Sequence, residues 1–397
     1  MDYDLSEDDI AVQEVARQFS RQKLMPRARE IDNSNELPAD IIAEMARLGL
    51  LGMTVSSEYG GMGATITQSA LAAIEIGYGD ISMATAVFIL LDTGWPRILE
   101  LHGSPELKKE LLPLVTSGKA FLGIATTEPS GGSDLAGMVT RAVEKNGKWY
   151  LSGEKTFISG VKEAQRMGGG HLTLAKTGPE GSREMEFFYV PANAKGITVS
   201  KFENMGRMGI STCQLNYENV ELPETYRLGG KVRGRGFHHA MDGFNAARVL
   251  VAAACIGASE RALDMGMDYI KKRKAFGSPI GKFEGIQFEL ADLYGKHQMT
   301  REMVLKAGWY VDKHPDRLAE LIKTCAIAKL YAPQVAFEIV QKVMMWFGAV
   351  SYSKEFELEM GMRGLMSYLV GAEGSLNMMR VLLGRELLGK EFIPYKK

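Results

Sequence analysis

Several things are scarce or missing in this chain, and each absence narrows what it can be. It has three cysteines in 397 residues, Cys213, Cys255 and Cys325. None forms a Cys-x-x-Cys pair and three cannot all pair within one chain, so a disulfide framework is excluded and a reduced, cytoplasmic protein is the expectation. Neither charge is in excess: 47 Lys and Arg stand against 48 Asp and Glu. Bulk electrostatics therefore gives no reason to expect a nucleic-acid partner or an anionic membrane surface. No run of 18 apolar residues occurs, so no membrane span is expected. The opening residues, Met-Asp-Tyr-Asp-Leu-Ser-Glu-Asp-Asp, lack the basic and apolar regions of a signal peptide. Internal repeats, low-complexity segments and metal-ligand spacings are also missing.

What is present is a chain long enough for two or three domains. It carries 23 methionines, suited to filling a core or to lining an adaptable ligand cavity. Residues 1–120 read as helical. Ser6 stands as an N-cap before the acidic turn Glu7-Asp8-Asp9, and apolar residues recur at helical spacing through Ile10, Val12, Val15, Phe19 and Leu24, with Pro26 expected to end or kink the run. A second helix is expected over Ile41–Leu51, and two apolar helices near 66–79 and 82–101. The texture changes at about residue 121. Lys148–Gly153, Glu186–Val190 and Gln214–Pro223 alternate or cluster as strands do, so 121–228 reads as a β domain. Helical periodicity then returns over Ala240–Tyr269, Gly285–Val311, Arg317–Trp346 and Ser375–Leu388, within a third domain spanning 229–397. The α–β–α order predicts an α+β, mainly α protein, with two helical domains around a small sheet or barrel domain and the last domain a four-helix bundle.

Two segments carry chemistry. Ala125-Thr126-Thr127-Glu128-Pro129-Ser130-Gly131-Gly132-Ser133-Asp134 is a strand end running into a glycine-rich turn. Its amides and hydroxyls suit the polar edge of a cofactor. Arg273-Lys274-Ala275-Phe276-Gly277-Ser278-Pro279 places basic residues at a helix end, where they could meet a phosphate or simply complement the helix dipole. Together with Gly153-Glu154-Lys155-Thr156-Phe157-Ile158-Ser159, Gln287 and Leu290-Ala291-Asp292, these segments resemble the acyl-CoA dehydrogenase family in order and spacing over essentially the whole chain.

That resemblance implies FAD bound between the domains of a homotetramer, an acyl-CoA thioester as substrate, and electron-transfer flavoprotein as acceptor. It implies flavin contacts from Ile124, Thr126, Thr127, Gly132, Ser133, Phe157 and Ser159. Arg273 and Phe276 would hold the cofactor of a neighbouring subunit, with Glu284, Gln287, Gly348, Ser375 and Asn377 also on the cofactor side. Substrate contacts are implied for Ser133, Asn245, Arg248, Ile89 and Leu91. Departures from the family pattern occur at Glu284, where a glutamine is usual, at Met345, and at Ala349.

The family reaction removes a proton beside the thioester carbonyl and needs a carboxylate to take it. One usual position for that carboxylate is Ala247, which cannot act. The other lies in Gly371-Ala372-Glu373-Gly374-Ser375. Counting forward from Arg363 puts Ala372 at the base position, and counting back from Arg380 puts Glu373 there. A further candidate is Asp92, set in the apolar run Phe88-Ile89-Leu90-Leu91 and expected to be paired or functional. A base at Asp92 would reach farther along the acyl group. That constellation is similar to dehydrogenases of cyclohexene- and cyclohexane-carboxyl-CoA, and implies 1,4-elimination to a cyclic diene. A base at Glu373 implies ordinary α,β-dehydrogenation of a short, branched or dicarboxylic acyl-CoA.

Overall fold

The computed structural model describes residues 5–179 and 181–392, with Met1–Asp4 outside that range. The first helix, α1 (Glu7–Phe19), starts as the sequence predicts: the Ser6 hydroxyl accepts from the Asp9 amide at 3.2 Å and the Asp9 carboxylate accepts from the Ser6 amide at 3.0 Å, a reciprocal cap. Pro26 does not end the helical path. The chain passes through a π turn (Ser20–Leu24) and a tight 3-10 turn (Met25–Arg27) into α2 (Ala28–Ser34), so the proline redirects it. Then come α3 (Ala39–Arg47), α4 (Ile66–Gly79), α5 (Ala84–His102) and α6 (Pro105–Thr116). α3 is shorter than the expected Ile41–Leu51 because the chain turns at Gly49 with φ +72. α6 was not anticipated; Ser104 caps it.

α4 is apolar nearly all round because it is covered on several sides by α1, α5 and the later α8 (Gly236–Lys272) and α9 (Glu284–Lys313). Its approach to α8 requires glycine. A Cβ at Gly257 would stand 1.8 Å from the Ile74 carbonyl oxygen, and one at Gly77 would stand 2.1 Å from that of Ala254.

The middle region forms a seven-stranded sheet: β1 (Phe121–Ala125), β2 (Arg141–Lys145), β3 (Lys148–Ser159), β4 (Gly169–Lys176), β5 (Met185–Pro191), β6 (Ile197–Lys201) and β7 (Thr212–Pro223), with the short helix α7 (Val161–Met167) after β3. The strand order is β1-β4-β2-β3-β7-β6, with β5 paired to β4. β1 runs parallel to β4; β3 runs antiparallel to β7 and has two register shifts. The second shift, between Lys155 and Ile158, turns Phe157 out of the sheet: its φ is +57 and it is 65% exposed. A bulge that re-aims a side chain next to a site is a recurrent device.

The C-terminal bundle comprises α8, α9, α10 (Leu318–Phe347), α11 (Leu358–Val370) and α12 (Leu376–Leu388), with a small hairpin of β8 (Lys274–Ala275) and β9 (Ser278–Pro279) between α8 and α9. α8 is long and apolar enough to cross a membrane, yet 89% of its most apolar window is buried against the rest of the chain. Here that composition belongs to a core helix.

Candidate active site

The flavin-side residues lie where β1 runs out of the sheet. Within β1 only Ile124 keeps partial exposure. The following Thr126–Glu128 segment is fixed from below by Lys155, which has no exposed surface. Its ammonium lies 3.0 Å from Glu128 Oε1 and donates at 3.1 Å to the Thr126 carbonyl. Burial drives Lys155 down to about 8, against the pull of Glu128. Burial would raise Glu128, but Lys155 and the amides of Val139 and Thr140 at 2.7 and 2.9 Å hold it below its usual value. The Thr156 amide donates at 2.9 Å to the Thr127 carbonyl and joins loop to strand. Gly132 and Ser133 are exposed at the loop tip, and a Cβ at Gly132 would close to 3.1 Å on Thr127. Phe157 stacks on Phe202 at 5.1 Å. The carbonyl of Ser159 lies 3.0 Å from Nε2 of buried His171, whose ring burial has lowered to about 4. An outward aromatic beside a pinned loop of amides and hydroxyls fits an isoalloxazine ring.

Other predicted cofactor residues lie elsewhere on the chain. Arg273, at the end of α8, and Phe276 flank and tip the β8–β9 hairpin, which packs on α8; Phe276 is 98% exposed. Glu284 and Gln287 begin α9 and are exposed, Gln287 donating to the Gly281 carbonyl at 2.9 Å. Gly348 ends α10 with φ +69, Ser375 caps α12, and Asn377 accepts from Arg380. Such exposed residues suit contacts to a second subunit's cofactor, as the resemblance implies.

Of the substrate-side residues, Arg248, with Asn245 bonded to it, reaches the α11–α12 turn. Ala372 and Glu373 both have left-handed backbones, with φ +55 and +54, a conformation non-glycine residues adopt only at a cost. Arg248 Nε donates to the Glu373 carbonyl at 3.1 Å, and Arg248 Nη1 donates to Asn245 Oδ1 at 2.9 Å. Lys329, with no exposed surface, donates to the carbonyls of Tyr368 at 2.6 Å and Gly371 at 3.0 Å. The Glu373 residue keeps partial exposure, but its Oε2 is shut off from solvent and has no hydrogen-bond partner. Burial raises its carboxyl to about 7, with Arg248 and Lys329 pulling the other way. A carboxyl so tuned is suited to take a proton near neutral pH.

Asp92 sits on a different face. It lies inside α5, wholly buried, and Oδ1 accepts from the Leu122 amide of β1 at 3.3 Å. Phe88, one turn earlier, packs on Phe121 of the same strand at 5.0 Å. The Asp92 side of α5 therefore meets β1, whereas Gly94 looks toward Ala247 of α8 and Trp95 packs on Phe244. Burial raises the Asp92 carboxyl well above its ordinary value, and Oδ2 has no partner. Ile89 and Leu91, just before it in α5, are also buried.

Sequence reading did not assign roles to Lys155, His171, Lys329, Tyr368 or Arg207. The reasoning that singled out Asp92 applies equally to Lys329, a lone charge in Cys325-Ala326-Ile327-Ala328-Lys329-Leu330.

A helical–sheet–helical chain with an outward aromatic beside a pinned amide loop, and a tuned carboxyl on the α11–α12 turn, fits a flavin-dependent acyl-thioester oxidoreductase. The chain belongs to the acyl-CoA dehydrogenase family: it matches that family's N-terminal domain over residues 6–119, its middle domain over 123–220 and its C-terminal domain over 234–388. It is 33% identical to an acyl-CoA dehydrogenase of Bacillus subtilis over 97% of this chain and 99% of that one. It is 31% identical to a cyclohex-1-ene-1-carbonyl-CoA dehydrogenase of Syntrophus aciditrophicus over 97% of this chain and 91% of the relative. Among solved structures it resembles a glutaryl-coenzyme A dehydrogenase bound to glutaryl-CoA, with TM-score 0.90, 29% identity and coverage of 98% and 97%. The chain is an FAD-dependent acyl-CoA dehydrogenase.

Proposed function

We propose that the chain removes hydrogen across the α and β carbons of a compact acyl-CoA, with Glu373 as the base. The observation that carries this reading is the Glu373 carboxyl, raised to about 7 with Oε2 unpartnered, on a turn fixed by Arg248 and Lys329. Bound FAD supplies the hydride acceptor; Ile124, Thr126, Thr127, Gly132, Ser133, Phe157 and Ser159 would hold its ring system. Arg248 and Asn245, at the α8 side, anchor the turn so that Glu373 faces the substrate's α-carbon and takes its proton. Ile89, Leu91 and the neighbouring α5 residues wall the acyl group and exclude water, which strengthens the base. Electron-transfer flavoprotein as acceptor, a homotetramer in which Arg273 and Phe276 reach a neighbour's cofactor, and a cytoplasmic location complete the proposal.

A second reading keeps Asp92 as base for 1,4-elimination on an alicyclic thioester. Its unpartnered Oδ2 and the likeness to the Syntrophus enzyme favour it; its bond to Leu122 and its β1-facing position favour a structural role instead. Anaerobic bleaching of the flavin against butyryl-, isobutyryl-, glutaryl-, cyclohexane-carboxyl- and cyclohexene-carboxyl-CoA tests both. Bleaching by open-chain thioesters that is lost in Glu373→Gln supports the first reading. Bleaching by cyclic thioesters alone, lost in Asp92→Asn, replaces it with the second.

A further inference from the structure

Within β4, Gly170 to Ala175 are all buried, and one of them is His171. An imidazole in a strand covered on both faces is costly unless it is hydrogen-bonded. Its Nε2 lies 3.0 Å from the Ser159 carbonyl. A carbonyl oxygen only accepts, so Nε2 carries the proton. Burial, which lowers the ring to about 4, keeps it neutral at working pH.

Glycine makes room for this contact. His171 pairs with Gly123 across β1 and β4, and a Cβ at Gly123 would stand 2.8 Å from the imidazole Cδ2. Phe121 lies against the ring with centroids 5.9 Å apart, and it also lies against Gly160, where a Cβ would stand 2.3 Å from the phenyl. The carbonyl that His171 holds belongs to the Ser159–Gly160 peptide. The amide of that same peptide donates at 2.9 Å to the Ser211 carbonyl. Ser211 is fixed in turn by buried Glu163 of α7, which accepts from the Ser211 amide at 2.9 Å and from its hydroxyl. Both ends of one peptide unit are held, and it cannot rotate without breaking a buried bond.

Ser159 stands at the far end of the bulge that turns Phe157 outward. The near end is Lys155, held by Glu128 and by the Thr126 carbonyl. Pairing of β3 with β7 lapses between Lys155 and Ile158, then resumes only at Ile158–Cys213 and Ser159–Thr212. Two residue pairs are a short grip on the strand end. The outward phenyl is thus carried between two side-chain braces, a buried ammonium before it and a buried imidazole after it.

We propose that His171 is a positioning residue for the flavin: its Nε2–H, donated to the Ser159 carbonyl, fixes the end of the bulge and so sets how Phe157 and Ser159 meet the ring system. The proposal rests on the reading of Phe157 and Ser159 as flavin-side residues. His171 acts only through the Ser159 peptide.

The test uses His171→Leu, which removes the donor, and His171→Gln, which keeps an N–H of similar reach. FAD is stripped from each full-length protein and titrated back. The flavin absorption spectrum and reduction potential of the refilled enzyme are read beside the Tm of the apoprotein. His171→Leu is expected to weaken FAD binding roughly 10-fold, about 1.4 kcal/mol, and to move the flavin spectrum and potential. His171→Gln should restore most of the affinity and the parent spectrum. A lower apoprotein Tm in His171→Leu, with FAD affinity, spectrum and potential unchanged, overturns the proposal and leaves a core histidine. Equal losses in the two variants overturn it as well, since shape and not the donor would then matter. Should His171→Leu fail to fold, nitrogen NMR of the unaltered protein labelled at histidine decides. The His171 imidazole N–H signal, assigned by its absence in His171→Gln, should shift when FAD is removed; an identical signal with and without FAD sinks the coupling. Phe157→Ala separates the brace from the reading beneath it. Weaker FAD binding there, beside unchanged binding in His171→Leu, sinks the brace alone. Unchanged binding in both sinks the flavin-side reading and the proposal with it.

Discussion

The buried ammonium of Lys329 donates at 2.6 Å to the carbonyl of Tyr368 and also reaches Gly371, two residues short of Glu373. One side chain on α10 thereby closes the end of α11 and sets a positive charge near the carboxyl that the left-handed turn presents. Position and proton affinity of Glu373 are coupled through it.

Lys329→Met should uncouple them. Two buried carbonyls lose their donor, a cost of about 1–3 kcal/mol, and Glu373 loses one of the two cations that hold its carboxyl down. The acidic limb of the kcat/KM profile should move to higher pH. A residue that mattered only for packing would lower Tm and leave that limb in place.

Glu373→Gln should lower kcat roughly 10²–10⁴-fold, the usual worth of a positioned base, while FAD stays bound. In the unaltered enzyme the base must be ionised, so activity should rise with pH through about 7 and level off above. Stability should run the other way. The folded carboxyl holds its proton more tightly than the unfolded one, so the native state binds more protons between the unfolded value and about 7, and stability falls as pH rises through that window. The Tm advantage of Glu373→Gln over the parent should accordingly grow from pH 5 to pH 8.

Asp92→Asn keeps an acceptor for the Leu122 amide and removes a carboxyl whose charged form burial disfavours. Folding should be retained and turnover on open-chain thioesters should change by no more than a few-fold. Near-complete loss of turnover would move the base to Asp92.

Glu128→Gln should empty the flavin site. Lys155 would lose the partner of a fully enclosed ion pair, at a cost of about 3–5 kcal/mol, and the Thr126–Thr127 segment would lose its support. The ratio of flavin to protein absorbance after purification measures the effect. Unchanged flavin content would show that the loop holds its shape without the pair.

Much of this was legible in the sequence because it depends on local rules. Periodicity marked the three regions. The Ser6 cap began α1. Glycine spacing marked the flavin loop, and Ala247 removed one base by its chemistry alone. A charge in an apolar run flagged Asp92, and burial was indeed complete. Pro26 kinks the path, as its missing amide predicts, at a 3-10 turn that leads from the π turn into α2.

The rest depended on contacts between residues far apart in the chain. Which of Ala372 and Glu373 carries the base chemistry could not be counted from either flank, since one inserted residue satisfies both counts. The left-handed turn, held by Arg248 125 residues away and by Lys329 on another helix, encloses the Glu373 carboxyl, and that burial raises it against the pull of the two cations. Asp92 likewise reads the same on paper whether it faces β1 or a substrate; the packing of Phe88 on Phe121 sets which way that face of α5 turns. Sequence determined the family, the cofactor and the missing carboxylate at Ala247, because those follow from residue types in order. Tertiary structure decided which carboxyl is tuned, because burial and electrostatic pairing belong to the folded neighbourhood and not to the neighbour in sequence.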